Sequence, residues 1–484
     1  MGVRFVVSVR LLFMQMMMVN QQMDLAETKN TAGRYIDKWK RLLSHRRISN
    51  ELDPRPDDET DLEKPVDDRS PFERDYERVL FSPAFRRLAG KTQVRTFPDV
   101  DYIHNRLTHS MEVSSVARTL GSEIASFLMS CGDVERFGFD SICWICQAAG
   151  LAHDIGNPPY GHAGEYAIQY WASKLKNGDR IFVHDPVWKD IEFYDGNAQS
   201  FRMLCTHESR MGEAFSFTAA TAGALVKYPN TAGGISSSGK SGKFDVFCSA
   251  MPVFEKTWDS LGLSVQIKQR HPLSYLTEAA DDICYRVLDF EDAVISGVIS
   301  SSRITDIMIE SLQISGSATC GRIPLSKLRS RMIRCLINDF AKCFKDNYHD
   351  IMSGSFTGDL REHLSEKTGA KNYLDKVDGL YRDIYTENKK VVIECGAYSQ
   401  IPAVLGRGYE FVQDAFNKYD SAEHHLPSFD RLSHLSRQFI VLAWDQSFYE
   451  QNITRSFGWW MHALLDYVVG MTDSYMCMLS QRLR

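Results

Sequence analysis

Apolar residues recur along most of the chain with the period of an α-helix. Leu107, Met111, Val116, Leu120, Ile124 and Phe127 stand three to five positions apart, which gathers them on one helical face. Ser141–Ile155 reads as a second, more apolar helix, stopped by Gly156 and then Pro158-Pro159. A third runs from His162 to about Leu175, and a fourth, Leu273–Ile299, carries the stripe Leu276, Ala280, Ile283, Val287, Phe290 and Val294. The stretches Trp39–Arg47, Leu325–Phe344 and Trp459–Leu479 are also helical in pattern. The only β-like signal is a small hairpin, with arms Ala224–Tyr228 and Phe244–Phe247 around a Gly/Ser-rich loop over residues 233–243. The expected fold class is all-α with that one hairpin, and no internal repeat is evident.

Between Asp53 and Asp68 lies an acidic, proline-containing linker with little to bury. Length alone would suggest about three domains, but the pattern suggests one helical body with additions. The division expected is a tail or mis-assigned start over residues 1–30, a helix and linker over 31–69, a core over 70–295, and a C-terminal helical region over 296–484 packed on it. Residues 1–22 are Met-rich and apolar, but Arg10 interrupts them and no cleavage site follows, so neither a signal peptide nor a membrane span is expected. Met23 is a plausible true beginning.

Composition narrows the function classes. Of 484 residues 44% are apolar, and the formal net charge is −6. A protein built on nucleic-acid phosphates carries a basic surplus, so any such contact must be local, and a cytoplasmic enzyme is expected. The 11 cysteines are scattered and odd in number, which suits reduced, buried thiols better than a disulfide framework. Cys143 and Cys146 are spaced as Cys-x-x-Cys, but without a second pair or a strand-then-helix context they read as core. Gly234–Ser241 satisfies the Walker A pattern letter for letter. That motif needs a strand running in and a helix running out; here Pro229 and Gly233 precede it and a strand-like segment follows, so it reads as a loop.

Candidate chemistry sits on three of the helices. His109 lies on the first, His153 and Asp154 are adjacent at the end of the second, and Asp281 lies on the fourth. Adjacent residues on a helix point about 100° apart, so one of the His153-Asp154 pair must face the interior. An unpaired buried imidazole or carboxylate is costly. A cation shared by two imidazoles and two carboxylates removes that cost, and such donors suit Mg²⁺ or Mn²⁺, with Co²⁺ or Fe²⁺ as alternatives. For any one of these residues, or for the His-Asp doublet alone, an ordinary buried or ion-paired role is the simpler reading.

The wider context changes that balance. The segments Phe72–Asp75, Phe85–Val94, His104–Ser110, His153–His162, Gly196–Gln199, Leu225–Pro229 and Glu278–Tyr285 resemble, in order, the motifs of the dGTP triphosphohydrolases within the HD phosphohydrolase superfamily. The resemblance spans roughly residues 70–295 and is weaker outside them. It implies that His109, His153, Asp154 and Asp281 are metal ligands and that His162 and Glu165 form the catalytic pair. Three residues apart, those two share a helix face, and the Glu would orient and tune the imidazole. It also implies substrate contacts from Gln93 and Val94 to sugar and base, Arg106 to the α-phosphate, and Asn197 and Lys227 to the nucleotide. Tyr285 and Asp289, stacked above Asp281 at spacings of four, would lie under the deoxyribose and accept from its 3′-hydroxyl. Arg74, Arg78, Arg86, Arg87 and Lys91 are further cations, either for the triphosphate or as ion-pair partners of Glu73, Asp75 and Glu77.

The expected activity is metal-dependent hydrolysis of deoxynucleoside triphosphates, dGTP being the first choice. The alternatives are a broad dNTP hydrolase activated by nucleotides, another HD nucleotide hydrolase, or a non-catalytic nucleotide- or single-stranded-DNA-binding regulator. The resemblance further implies a homo-oligomer, with regulatory single-stranded DNA or dNTP as possible partners and no membrane.

Overall fold

A computed structural model describes residues 33–48, 69–93, 103–175, 187–206, 215–232, 243–314, 323–380, 396–421 and 423–483. Within them the regular structure is helical, and β pairing is limited to isolated bridges. The helices are α1 (Ile36–Leu42), α2 (Pro71–Leu80), α3 (Pro83–Arg87), α4 (Arg106–Ser130), α5 (Arg136–Ala152), α6 (His162–Leu175), α7 (Val187–Glu192), α8 (Gly196–Cys205), α9 (Ala219–Leu225), α10 (Met251–Leu261) and α11 (Pro272–Ile295). The C-terminal region adds α12 (Ser301–Ser311), α13 (Leu325–Asp346) and α14 (Tyr348–Ser353), then a helical run over 369–380. It closes with α15 (Ala397–Asn417), α16 (His434–Ala443), α17 (Gln446–Gln451), α18 (Phe457–Val469) and α19 (Asp473–Arg482).

The starts of these helices are written in the sequence. Asn105 and Thr108 form a reciprocal capping box on α4, the side chain of each accepting from the backbone N–H of the other at 3.0 and 3.1 Å. Ser70 and Ser82 cap α2 and α3, each with proline at the first helical position. His271 caps α11, again ahead of a proline.

The α4–α5 pair is the centre of the core, and α11 packs across both. At Gly150 the two helices approach so closely that a Cβ would lie 3.0 Å from the Ser114 Cα. The stripe residues Leu120, Ile124, Ile142, Ile145, Leu276, Ile283, Val287 and Phe290 are buried there. Helix α18 is buried along its whole length, as expected of a helix that is apolar all round; it packs on α15 and α7. Cys143 and Cys146 are both buried free thiols, and burial pushes the Cys146 thiol well up, in line with core packing.

Several expectations shift. The hairpin does not form: its first arm begins inside α9, and what remains is the Tyr228 carbonyl accepting from Asp245 N–H at 3.0 Å and an isolated Thr231–Val246 bridge. The alanine-rich Ala219–Leu225 segment favours helix and takes the first two residues of that arm with it. The basic stretch from Trp39 to Arg47 is helical only to Leu42; beyond it Arg47 bridges to Thr218 and pairs with Asp75 at 2.7 Å. Trp459–Leu479 is two helices, α18 and α19, divided at Gly470, with Thr472 as the new N-cap. Helix α11 ends at Ile295, and Gly297 follows at φ 72°. The residue 1–30 tail, the acidic Asp53–Asp68 linker and the Walker-like Gly234–Ser241 segment lie outside the described residues.

Candidate metal centre

His109 stands in the first turn of α4, fixed there by the capping box. His153 is the C-cap of α5, Asp154 follows it, and Asp281 projects from α11. The donor atoms of His109, His153 and Asp281 all lie within 4.8 Å of one another. His109 Nε2 is 3.2 Å from Asp281 Oδ1, and His153 Nε2 is 3.5 Å from both Asp281 Oδ1 and Asp154 Oδ1. Asp154 flanks this trio without joining it fully: its Oδ2 accepts from Arg106 Nη1 at 2.7 Å, and its Oδ1 accepts from the Asn157 amide. The two imidazoles and Asp154 are buried, and Asp281 is half-buried.

The donor set fits a divalent cation. His153 Nδ1 donates to the Gly150 carbonyl at 2.8 Å, which uses the single N–H of a neutral imidazole. Nε2 then presents a lone pair toward two carboxylates, and only a proton or a metal between them makes that arrangement favourable. Burial opposes charge on His153, but Asp154 and Asp281 outweigh it and raise its pKa. Burial would also neutralise Asp154, yet Arg106 and the two histidines hold it down at about 2. Asp281 is likewise held well below the carboxylate range by Lys227 and His153, against desolvation. Both acids are therefore ionised at neutral pH, as metal ligands must be.

Around this group the other predicted residues fall at different distances. Lys227 is buried and donates to Asp281 Oδ2 at 2.9 Å. Arg106 leaves its Nε buried and without a hydrogen-bond partner among the described residues. Asp289, two turns beyond Asp281 on α11, is 3% exposed; burial pushes its carboxyl up to about 7, with the nearby His109 opposing. Tyr285 lies between them, half-buried. Gln93 keeps a buried Oε1 with no partner among the described residues, and Val94 lies outside them.

His162 opens α6 and is exposed. Desolvation of its charged form and the Arg106 cation together lower its pKa, so it is neutral at physiological pH. Glu165, expected to orient and tune His162 from the same helix face, has its Oε1 accepting from Gly196 N–H, 2.8 Å away at the start of α8. Burial pushes the Glu165 carboxyl up. Asn197 donates its backbone N–H to Asp195 Oδ1 at 2.9 Å. Asp195 is itself pushed up by burial and by Glu165, so the site holds a second acidic pair that the sequence reading missed. Its position as the N-cap of α8 was the available signal. Asn157, which steadies Asp154, was also left without a role.

Of the cationic cluster, Lys91 is structural. It is buried, donating to the Asn157 and Val469 carbonyls at 2.6 and 2.7 Å, and desolvation lowers it to about 7. Arg78 donates to the Phe215 carbonyl at 2.8 Å.

A helical core that presents an adjacent His-Asp pair, with a second His and a second Asp from crossing helices, defines an HD-type phosphohydrolase. The HD domain family matches residues 106–187. A deoxyguanosinetriphosphate triphosphohydrolase-like protein of Pseudomonas aeruginosa is 34% identical over 431 residues, covering 84% of this chain and 91% of its own length. A protein of the same description from Synechocystis is 29% identical over 92% of this chain and 99% of its own length. The deoxyguanosinetriphosphate triphosphohydrolase of an Enterobacter species is 28% identical over 84% and 92% respectively. The chain belongs to the deoxyguanosinetriphosphate triphosphohydrolase family of the HD superfamily. No helix among the described residues is long and apolar enough to cross a membrane.

Proposed function

We propose that the chain hydrolyses deoxynucleoside triphosphates at the α-phosphorus, dGTP first among them, releasing deoxyguanosine and inorganic triphosphate. One observation carries the reading: ionised Asp154 and Asp281 and two imidazoles share one buried site whose flanks, Arg106 and Lys227, are cationic. His109, His153, Asp154 and Asp281 would hold a divalent ion, Mg²⁺ or Mn²⁺ by the hardness of the donors. When bound, that ion supplies Lewis acidity toward a phosphate oxygen and a nearby water. Arg106, whose Nε has no partner among the described residues, binds an α-phosphate oxygen, and Lys227 neutralises charge developing on the triphosphate. His162, neutral and open to solvent, moves a proton at its imidazole as general acid or base. Glu165 orients the start of α8 through Gly196, and so the Asn197 side chain.

Tyr285 and Asp289 continue the α11 face beyond Asp281. A flat ring against the sugar disfavours a 2′-hydroxyl, and the buried Asp289 carboxyl accepts from a 3′-hydroxyl. Gln93, whose Oε1 lacks a partner among the described residues, and Val94 complete the sugar and base contacts. Residues 70–295 then act as the catalytic body, with 296–484 packed on it.

Product analysis tests this reading. Purified protein with Mg²⁺ or Mn²⁺ is expected to convert dGTP to deoxyguanosine and triphosphate. Release of orthophosphate or pyrophosphate would reject the position of cleavage, and equal turnover of GTP would reject the role given to Tyr285.

A further inference from the structure

The turn that launches α6 is left-handed at two successive residues, Tyr160 at φ 65° and Gly161 at φ 57°. A non-glycine residue stays in that region only where its surroundings hold it. The hold comes from the far end of the chain. Asp473, in the first turn of α19, is 4% exposed. Its Oδ1 accepts from Tyr160 N–H at 2.9 Å, and its carbonyl lies 3.0 Å from the Tyr160 hydroxyl, which also reaches Gln400 Oε1 at 2.6 Å. Its Oδ2 accepts from Thr92 N–H at 3.0 Å and from the Thr92 hydroxyl at 2.5 Å.

One carboxylate thus ties the residue two before His162 to the residue before Gln93. The turn also backs Arg106: a Cβ on Gly161 would lie 2.4 Å from its Nη2, while its Nη1 rests on Asp154. Lys91, bridging Asn157 and Val469, ties the same loop to the end of α18. A carboxylate suits this place because it can accept on both oxygens at once, and a helix N-terminus favours its charge. An amide can accept on only one side and sets its NH₂ against an N–H donor on the other.

We propose that Asp473, some 290 residues beyond the HD-domain match, is a positioning residue for the hydrolysis assigned above, on which this inference rests: it aims His162 through the Tyr160–Gly161 turn and Gln93 through Thr92. The test is Asp473→Asn beside the wild-type protein, with bound metal, circular dichroism, kcat and KM for dGTP measured on both. The expected result is unchanged helicity and metal content, with kcat lowered about 10- to 100-fold, the scale of a sub-ångström to ångström misplacement. Thr92→Val deletes only the hydroxyl donor and is expected to raise KM more than it lowers kcat.

A folded, metal-loaded Asp473→Asn protein with wild-type kcat and KM would overturn the proposal. If Asp473→Asn does not fold, Thr92→Val decides, and an unchanged KM overturns it. Amide exchange separates this idea from the functional reading. Even if the wild-type protein turned over no dNTP, slow exchange at Tyr160 and Thr92 that accelerates in Asp473→Asn would support the clamp, and unchanged exchange would reject it.

Discussion

Gly156 carries a sharp prediction because backbone, not side chain, surrounds it. A Cβ there would lie 2.2 Å from Ser200 N, 2.3 Å from the Gly196 carbonyl oxygen and 2.7 Å from Gln199 C. Non-bonded carbon contacts are comfortable beyond about 3.5 Å, so Gly156→Ala must drive the His-Asp loop and α8 apart by about 1 Å. No rotamer change relieves this. The separation strains Gly156 N–H to Ser200 Oγ at 2.9 Å, Tyr194 Oη to the Gly156 carbonyl at 2.9 Å, and, through α8, the Gly196–Glu165 bond. Overpacking of this kind costs about 1–3 kcal/mol, and a shift of that size at the site lowers turnover by about 100-fold. Thermal unfolding and steady-state dGTP hydrolysis read the two effects. Gly379→Ala is the control: among the described residues nothing lies within 4 Å of its Cβ in a helical run, so stability should hold or rise by about 0.5–1 kcal/mol. Wild-type turnover and an unchanged midpoint in Gly156→Ala would refute the close approach.

His153→Ala or Asp154→Ala is expected to abolish both metal retention and turnover, whereas His162→Gln should retain metal and lose about 100-fold in kcat; metal analysis beside kinetics separates them. Stripping the ion with a chelator should lower unfolding stability by about 3 kcal/mol relative to metal at a hundredfold its dissociation constant, as read by denaturant titration. His104 bonds Asp292 at 2.8 Å and Glu112 at 3.1 Å, which together raise it to about 10. Because that lies above the unfolded value of about 6.5, the clamp contributes fully below pH ~6.5 and is lost as pH rises through about 10. The stability gap between wild-type and His104→Phe should therefore be widest near pH 6 and shrink toward pH 10.5; a gap independent of pH would contradict it. Arg202→Met should cost about 3–5 kcal/mol, since it removes the cation paired with buried Asp466, now 3.3 Å from both Arg202 Nε and Nη2, and leaves that carboxylate the Gln199 amide at 2.6 Å.

Local signals announced most of the helices. The α4, α5 and α11 stripes repeat at helical spacing over long segments, and Asn105 and Pro272 mark the starts of α4 and α11, so for those two periodicity and capping agreed. The failures were equally local in origin. Val226-Lys227-Tyr228 and Phe244-Asp245-Val246-Phe247 have strand-like composition, but α9 takes the alanines ahead of the first segment, and tertiary context leaves a single bridge. The α18–α19 break at Gly470 was visible as a glycine followed by Thr472-Asp473, a stop and an N-cap, but the surrounding apolar run concealed it.

The site was legible only where its chemistry is carried by residue type. Two His and two Asp on three helices had to find each other because none is stable alone in the interior, and His109, His153 and Asp281 do meet. Which hydrogen bonds orient them is a different kind of information. Glu165 is one helical turn from His162, yet it bonds Gly196, because α8 brings an unsatisfied helix-terminal N–H to it at 2.8 Å. The Tyr160 turn waits on Asp473, 313 positions further along the sequence. Periodicity reports which face of an element is buried, and never which remote element will cover it. The candidate donors of such a centre can therefore be named from residue type and pattern, while the contacts that orient them are fixed by packing partners that only the assembled fold supplies.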